Sequence, residues 1–232
     1  MIAETAKRLW RTDRVLVIGI AIALGLVLGF AALASNVMET ETDAFDHVIL
    51  RVLRTPDGEP LGGMFLKGVV VNLSALGSST IATLIVIIAS LFLILVKRRN
   101  QAIVVIACGV GTAVAIWVLK DLFGRERPNI VPHLTDVSSL SFPSGHSLIA
   151  SAIYPTLGLL LSMTFKERKL KLFVFITAAM LALVIGFTRV YMGVHFPTDV
   201  LGGWMLGLAW AIVCGLICRR LQEKGIVEPE ST

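Results

Sequence analysis

Charge is scarce in this sequence. Only 16% of its 232 residues are Asp, Glu, Lys or Arg, where a soluble domain carries about 25%. Hydrophobic residues make up 56%, and the mean hydropathy is +0.83. They are not interleaved with polar faces, as the helices of a soluble core require. They run on in segments of about 20 residues, the length that crosses a bilayer. The shortage of charge therefore excludes a soluble domain with an enlarged core. Cysteine is scarce too. Cys108, Cys214 and Cys218 lie inside apolar segments, with neither metal-ligand spacing nor a disulfide framework, and read as packing residues. Repeats of solenoid period and low-complexity segments are missing. The net charge of +5 does not point to nucleic acid, because the basic residues gather in short loops, as membrane topology demands.

What the chain does contain is a succession of apolar runs between short polar connections. They predict an all-α fold, a single domain over residues 1–232 built as a six-transmembrane-helix bundle. The first span covers 15–34, after a flank with Lys7, Arg8, Arg11 and Arg14. Ala32-Leu33-Ala34 offers the small-residue pattern of a signal-peptide cleavage site, but the run is longer than a signal core, which favours a retained helix. Residues 35–75 form the longest polar connection. Within it Ala44, Phe45, Val48, Ile49, Val52 and Leu53 recur at helical spacing opposite Asp46, His47, Arg51 and Arg54. That pattern predicts a short amphipathic external helix between spans 1 and 2, followed by a turn at Thr55-Pro56-Asp57-Gly58 and an apolar stretch from Met64 to Leu73. The remaining spans are expected at about Leu76–Val96, Ala102–Phe123, Ser144–Phe165, Leu172–Arg189 and Pro197–Cys218, before a short polar tail.

The N-terminus, the 97–100 loop, the 166–171 loop and the C-terminus are all basic and fall on one side of such a bundle. The positive-inside rule makes that side cytoplasmic. The 35–75, 120–143 and 189–197 connections then lie on the external face together.

Those external connections carry the chemistry. In Lys120-Asp121-Leu122-Phe123-Gly124-Arg125-Glu126-Arg127-Pro128, Lys120 and Arg127 are seven apart, which a helix places on one face, where two cations can neutralise an anion. Snorkelling to lipid headgroups is the plainer account. In Pro143-Ser144-Gly145-His146, Ser144 is a good N-cap and Gly145 permits close backbone approach. The N–H groups of a helix start favour an anion, beside which His146 would stand. A capped helix with an incidental histidine explains the same residues. In the third cluster Arg189 and His195 precede Pro197, which suits the first turn of a helix, so that Asp199 sits early in the last span. An aspartate accepting one ring N–H leaves the other nitrogen free to attack. A structurally satisfied histidine with a capping aspartate is the alternative.

Together the clusters are more specific. Lys-x6-Arg-Pro, Pro-Ser-Gly-His and Arg-x5-His-x3-Asp resemble the three-part signature of the type-2 phosphatidic acid phosphatase superfamily, which includes membrane lipid phosphate phosphatases and is related to soluble vanadium haloperoxidases. The one departure is Thr188, where the family usually has Ser before the Arg; Thr keeps the hydroxyl. The resemblance implies His195 as nucleophile forming a phosphohistidine, Asp199 as its orienting partner, and His146 as acid to the leaving oxygen. It implies that Lys120, Arg127 and Arg189, with Ser144 and the Gly145 backbone, hold the phosphoryl oxygens. It implies no metal and no cofactor. The partner it implies is a membrane lipid phosphate or diphosphate, of the undecaprenyl diphosphate, phosphatidylglycerol phosphate or phosphatidate type, drawn from the bilayer of a bacterial membrane. The external connections at 43–54 and 64–73 are expected to form a wall or lid over its chain. His47, His133, Arg125 and Glu126 read as solvated loop residues, although Arg125 lies where it can touch substrate. Two other readings use the same residues. One is a lipid phosphotransferase working through the same phosphohistidine; the other, from a different class, is an anion transporter or channel.

Overall fold

The computed structural model describes residues 2–223, with side chains for residues 14–222. The side chains of Lys7, Arg8 and Arg11, and the expected polar tail beyond Glu223, lie outside the described residues. Eight helices follow one another: α1 (Ile2–Met38), α2 (Asp43–Val52), α3 (Gly63–Ala75), α4 (Ser79–Leu95), α5 (Arg99–Phe123), α6 (Gly145–Ser162), α7 (Arg168–Tyr191) and α8 (Pro197–Glu223). No strand occurs among the described residues. Five helices are long and apolar enough to cross a membrane: α1 from Arg14, α5, α6, α7 and α8. A sixth span arises only when α3 and α4, bent by 47° at their junction, are taken together. The all-α bundle is therefore as expected. The apolar 64–73 stretch lies within α3, the upstream limb of that bent pair.

Local chemistry sets the helix ends. Ser78 caps α4, its Oγ accepting the Ile81 N–H at 3.3 Å, and Pro197 opens α8, where its missing N–H costs nothing. Gly124 stops α5 by taking the left-handed conformation at φ +60, the usual way to satisfy the last carbonyls of a helix.

Helix α6 is the centre of the bundle, and its main partner is α8. In lipid there is no hydrophobic drive between helices, so close backbone approach and interhelical hydrogen bonds supply the attraction. Here Gly203 and Gly207 of α8 lie against Ser147 and Ser151 of α6. A methyl on Gly203 would stand 2.6 Å from the Ser144 carbonyl oxygen, and one on Gly207 would overlap the Ser151 hydroxyl. The Ser151 hydroxyl donates to the Gly203 carbonyl at 3.2 Å. This contact aligns the start of α6 with the start of α8, and Ser144 N–H donates to the Asp199 carbonyl at 2.9 Å. Deeper in the bundle Cys108, Cys214 and Cys218 are buried and unpaired, packed with Val105, Ile149 and Ile153.

The first helix is a structural wall. Its Phe30 stacks on Phe142 at 5.5 Å and meets Phe123 edge-on at 5.9 Å, fixing the turn that precedes α6. The outer faces of the bundle expose Leu28, Ile88, Phe92, Trp117, Leu172 and Phe187, as a lipid-facing surface requires. The short helix α2 shows Phe45, Val48 and Val52 outward and buries Leu50. One residue on it departs from the expected pattern: Asp46, assigned to the polar face, is fully buried.

Candidate active site

His195 lies in the short turn between α7 and α8, one residue before Phe196 and two before the first residue of α8. Asp199 follows one helical turn later and is fully buried. Its Oδ2 is 3.2 Å from His195 Nδ1, accepts the Phe196 N–H at 2.8 Å, and accepts the Ser141 hydroxyl. On the other side of the ring, His195 Nε2 is 3.2 Å from Arg127 Nη1. A guanidinium only donates, so Nε2 carries the lone pair and Nδ1 the proton. Burial pushes the imidazole pKa down to about 3, although the hydrogen bond and charge of Asp199 pull the other way. The ring is therefore neutral at physiological pH, with its Nε2 lone pair held only by the Arg127 N–H and ready for nucleophilic attack once that contact gives way.

Three cations gather beside this ring, from α5, α7 and the loop between α5 and α6: Arg127 meets Nε2, Arg189 is close enough for its charge to act on the ring, and Lys120 lies within reach of both arginines. Lys120, in the last turn of α5, donates to Ser139 Oγ at 2.9 Å and to the Leu140 carbonyl at 2.6 Å. Arg127 donates to the Ser139 carbonyl at 2.6 Å, to Ser139 Oγ at 3.0 Å and to the Val194 carbonyl at 2.5 Å. Arg189, near the end of α7, is 5% exposed and donates to Ser74 Oγ at 2.8 Å, while its Nε has no partner. Among the described residues none of the three has a carboxylate within ion-pair distance. Burying charge without a counter-ion is costly, most of all for Arg189; Lys120 and Arg127 are half-buried. One expectation needs correction. Lys120 and Arg127 do not share a helical face, because Gly124 ends α5 between them. They converge because the chain turns back and both bind Ser139.

His146 stands in the first turn of α6, near enough to Arg189, His195, Lys120 and Arg127 to feel their charges. Its ring makes no hydrogen bond among the described residues. Gly77, at the α3–α4 bend, packs on it: a methyl there would lie 3.2 Å from His146 Cβ and collide with Ile185. Ser144 is the N-cap of α6, as expected. Its hydroxyl is fully buried, accepts from Ser147 N–H at 3.5 Å and from the Ser147 hydroxyl at 3.1 Å, and caps the helix. Its own N–H is taken by Asp199. The groups left facing outward from the helix start are the N–H groups of Gly145 and His146, which have no intrahelical acceptor. The Thr188 hydroxyl bonds the Ile185 carbonyl at 2.6 Å inside α7, away from the site.

Arg125 is not solvated. It pairs with Asp199 at 2.7 Å and with Asp46 at 2.8 Å. Glu126 is exposed, as expected. His133 bonds the Pro128 carbonyl at 2.6 Å, and the His47 ring lies 6.0 Å from that of Phe196; neither joins the cluster. Sequence reasoning missed Ser74, Gly77, Ser139 and Ser141 altogether. Each is a small polar or flexible residue in an apolar or loop context, with no spacing signal to single it out.

Fold and site together define a class of protein: a polytopic helical membrane protein with a cluster of cations and histidines at one end of its bundle. The model of the PAP2 superfamily matches residues 101–222, and the chain belongs to that family. It is 34% identical over 181 residues to phosphatidylglycerophosphatase B of Bacillus subtilis, covering 77% of this chain and 83% of that one. It is 33% identical over 150 residues to an undecaprenyl-diphosphatase of Sulfolobus acidocaldarius, covering 61% and 66%. Its fold superposes on the crystal structure of a transmembrane PAP2-type phosphatidylglycerolphosphate phosphatase from Bacillus subtilis with a TM-score of 0.74, at 30% identity over 87% of this chain and 96% of that one. For Aquifex aeolicus LpxE the TM-score is 0.52, at 28% identity over 75% and 92%. The relatives are membrane lipid phosphatases, and this chain is a hydrolase of that type.

Proposed function

We propose that the protein removes a phosphoryl group from a lipid phosphate through a phosphohistidine at His195, on the external face of the membrane. The observation that carries this is the cluster of three cations without carboxylate partners beside His195, one of which, Arg127, meets the Nε2 lone pair. In the first step Nε2 bonds to phosphorus as the bond from phosphorus to the lipid-side oxygen breaks. His146, which enters this step as the imidazolium because the bound phosphate's negative charge offsets the surrounding cations, gives that oxygen a proton. Lys120, Arg127, Arg189 and the N–H groups of Gly145 and His146 hold the equatorial oxygens as charge shifts among them. Asp199 steadies the Nδ1 proton while the ring becomes cationic. In the second step water attacks phosphorus and His146 takes its proton. The N–P bond breaks, phosphate leaves, and His195 returns to its neutral form. A transporter would need its cations spread through the bilayer; here they sit together at one end.

For the lipid portion, an apolar cavity of about 450 Å³ runs between α4, α5 and α6, lined by Val86, Ile87, Val110, Ile149 and Ile153. It reaches Ile116, whose side chain lies 3.5 Å from where a Cβ on Gly145 would be. This groove, rather than α2, is the wall for an acyl or prenyl chain. Phosphatidylglycerol phosphate is the substrate best supported by the relatives, with a polyprenyl diphosphate second. Phosphate release from purified protein tests the reading, with phosphatidylglycerol phosphate, undecaprenyl diphosphate, phosphatidate and a soluble phosphomonoester compared. Catalytic efficiency on the lipids should exceed that on the soluble ester by at least about tenfold. Equal efficiencies would remove the lipid assignment.

A further inference from the structure

Arg125 is handled differently from the other cations. Lys120, Arg127 and Arg189 have no carboxylate partner among the described residues, whereas Arg125 bridges two fully buried ones. Its Nη1 donates to Asp199 Oδ1 at 2.7 Å and to Thr198 Oγ1 at 2.9 Å; its Nη2 donates to Asp46 Oδ2 at 2.8 Å and lies 3.7 Å from the carboxylate of Asp43, which is partly exposed and the weaker partner. The Phe196 ring lies against the guanidinium, 4.1 Å from Cζ to centroid, and fixes its plane. Asp46 closes the circuit. Its Oδ1 accepts the Thr198 N–H at 3.0 Å, and its Oδ2 accepts the Thr198 hydroxyl at 2.6 Å. Buried charges thus alternate in sign along one line, from Asp46 through Arg125 to Asp199, and end at the His195 imidazole.

That order has an electrostatic consequence. An arginine bonded to one oxygen of a carboxylate draws negative charge from the other. Paired with Arg125 alone, Asp199 would be a weak acceptor for the Nδ1 proton of His195. Asp46, on the other edge of the guanidinium, shares the cation and leaves more charge on Asp199 Oδ2. Arg125 meanwhile holds Oδ1, so that Oδ2 faces the imidazole.

Resting on the roles proposed above for His195 and Asp199, we infer that Asp46 and Arg125 are positioning residues for the phosphoryl transfer, making α2 part of the active site. Neither touches the phosphate. The competing account is mechanical: Asp46 docks α2 onto the start of α8 and does nothing more.

Asp46→Asn separates the two. It preserves shape and an amide oxygen for Thr198 N–H but removes the charge. With full-length protein and phosphatidylglycerol phosphate in mixed micelles, the electrostatic role lowers kcat by about 10- to 100-fold with KM within about twofold. The pre-steady-state phosphoryl burst slows to match. Asp46→Glu, which keeps the charge, restores part of the rate. In an Asp199→Asn background Asp46→Asn has no further effect, because it acts through Asp199. A wild-type kcat for Asp46→Asn overturns the inference, as does a full multiplicative loss in the double variant. If Asp46→Asn does not fold, Thr198→Val gives the second measure, removing only the hydroxyl that Asp46 and Arg125 share. It should lower kcat a few-fold at constant KM, and no change there also overturns the inference. His195→Ala is assayed alongside. Activity in that variant removes the phosphohistidine reading itself, whereas an inactive His195→Ala beside a fully active Asp46→Asn removes only the relay.

Discussion

Arg189→Met should make the protein more stable and nearly inactive at once. Arg189 is 5% exposed, holds one hydrogen bond to Ser74 and a long contact of 3.8 Å to Met192 Sδ, and leaves Nε bare. No carboxylate repays its loss of hydration, and Arg127 nearby repels it. Met has similar length and no charge. Replacing buried ionic groups by well-packed apolar ones stabilises by about 1–4 kcal/mol, and leaving the Ser74 hydroxyl unpaired takes back about 1 kcal/mol. The net gain of about 0–3 kcal/mol corresponds to a rise in Tm of up to about 10 °C for a chain of this size. The same cation is free to form charge-assisted hydrogen bonds to a phosphoryl oxygen, and losing such a donor costs about 10²–10³ in rate. Thermal unfolding in detergent and phosphate release give the two readings. Vanadate, which takes the shape of the transferring group, should raise the Tm of the wild type more than that of Arg189→Met. A variant that is clearly destabilised and keeps more than about a tenth of its activity would show that Arg189 is structural.

His195→Ala should abolish turnover while the protein remains folded and monodisperse by size exclusion, since among the described residues His195 alone pairs an imidazole with Asp199. The His195 pKa of about 3 lies below the ordinary 6.5, so the folded state binds fewer protons than the unfolded one between these values. Stability should hold above pH 6.5 and fall on acidification toward pH 3, by on the order of 1 kcal/mol per pH unit. A His195→Gln protein should lose less over the same range, and equal losses would contradict the assignment. Activity should persist in chelator and be inhibited by vanadate, because Lys120, Arg127 and Arg189 supply the positive charge; rescue of a chelated enzyme by Mg²⁺ would count against this. A cysteine placed at Thr135 in a Cys-free background should react with an impermeant reagent on intact cells, and labelling only after the membrane is opened would invert the topology.

Much of this protein is written locally. Its apolar runs had to become helices, because backbone groups in lipid have no partner except their own helix. The Ser144 cap and Pro197 at the start of α8 are equally local, and so is the placement of His146, His195 and Asp199 within a few residues of those starts. Gly124 was also readable, yet the even spacing of Lys120 and Arg127 suggested one continuous helix that the glycine in fact ends. Only the tertiary structure decided how each charge is used. Arg125 and Arg127 are two residues apart and alike in sequence, but one is neutralised by Asp46 and Asp199 while the other faces the His195 lone pair. Asp46 looked like a surface residue because its partners, Arg125 and Thr198, lie 79 and 152 residues away. Ser74, between the apolar stretch ending at Leu73 and the span from Leu76, gave no signal because the arginine it holds is 115 residues distant. Hydrophobic periodicity acts over one helical turn, whereas the cost of burying a charge is settled by whichever oppositely charged or polar group the packing of Gly203 and Gly207 on α6 brings to its side.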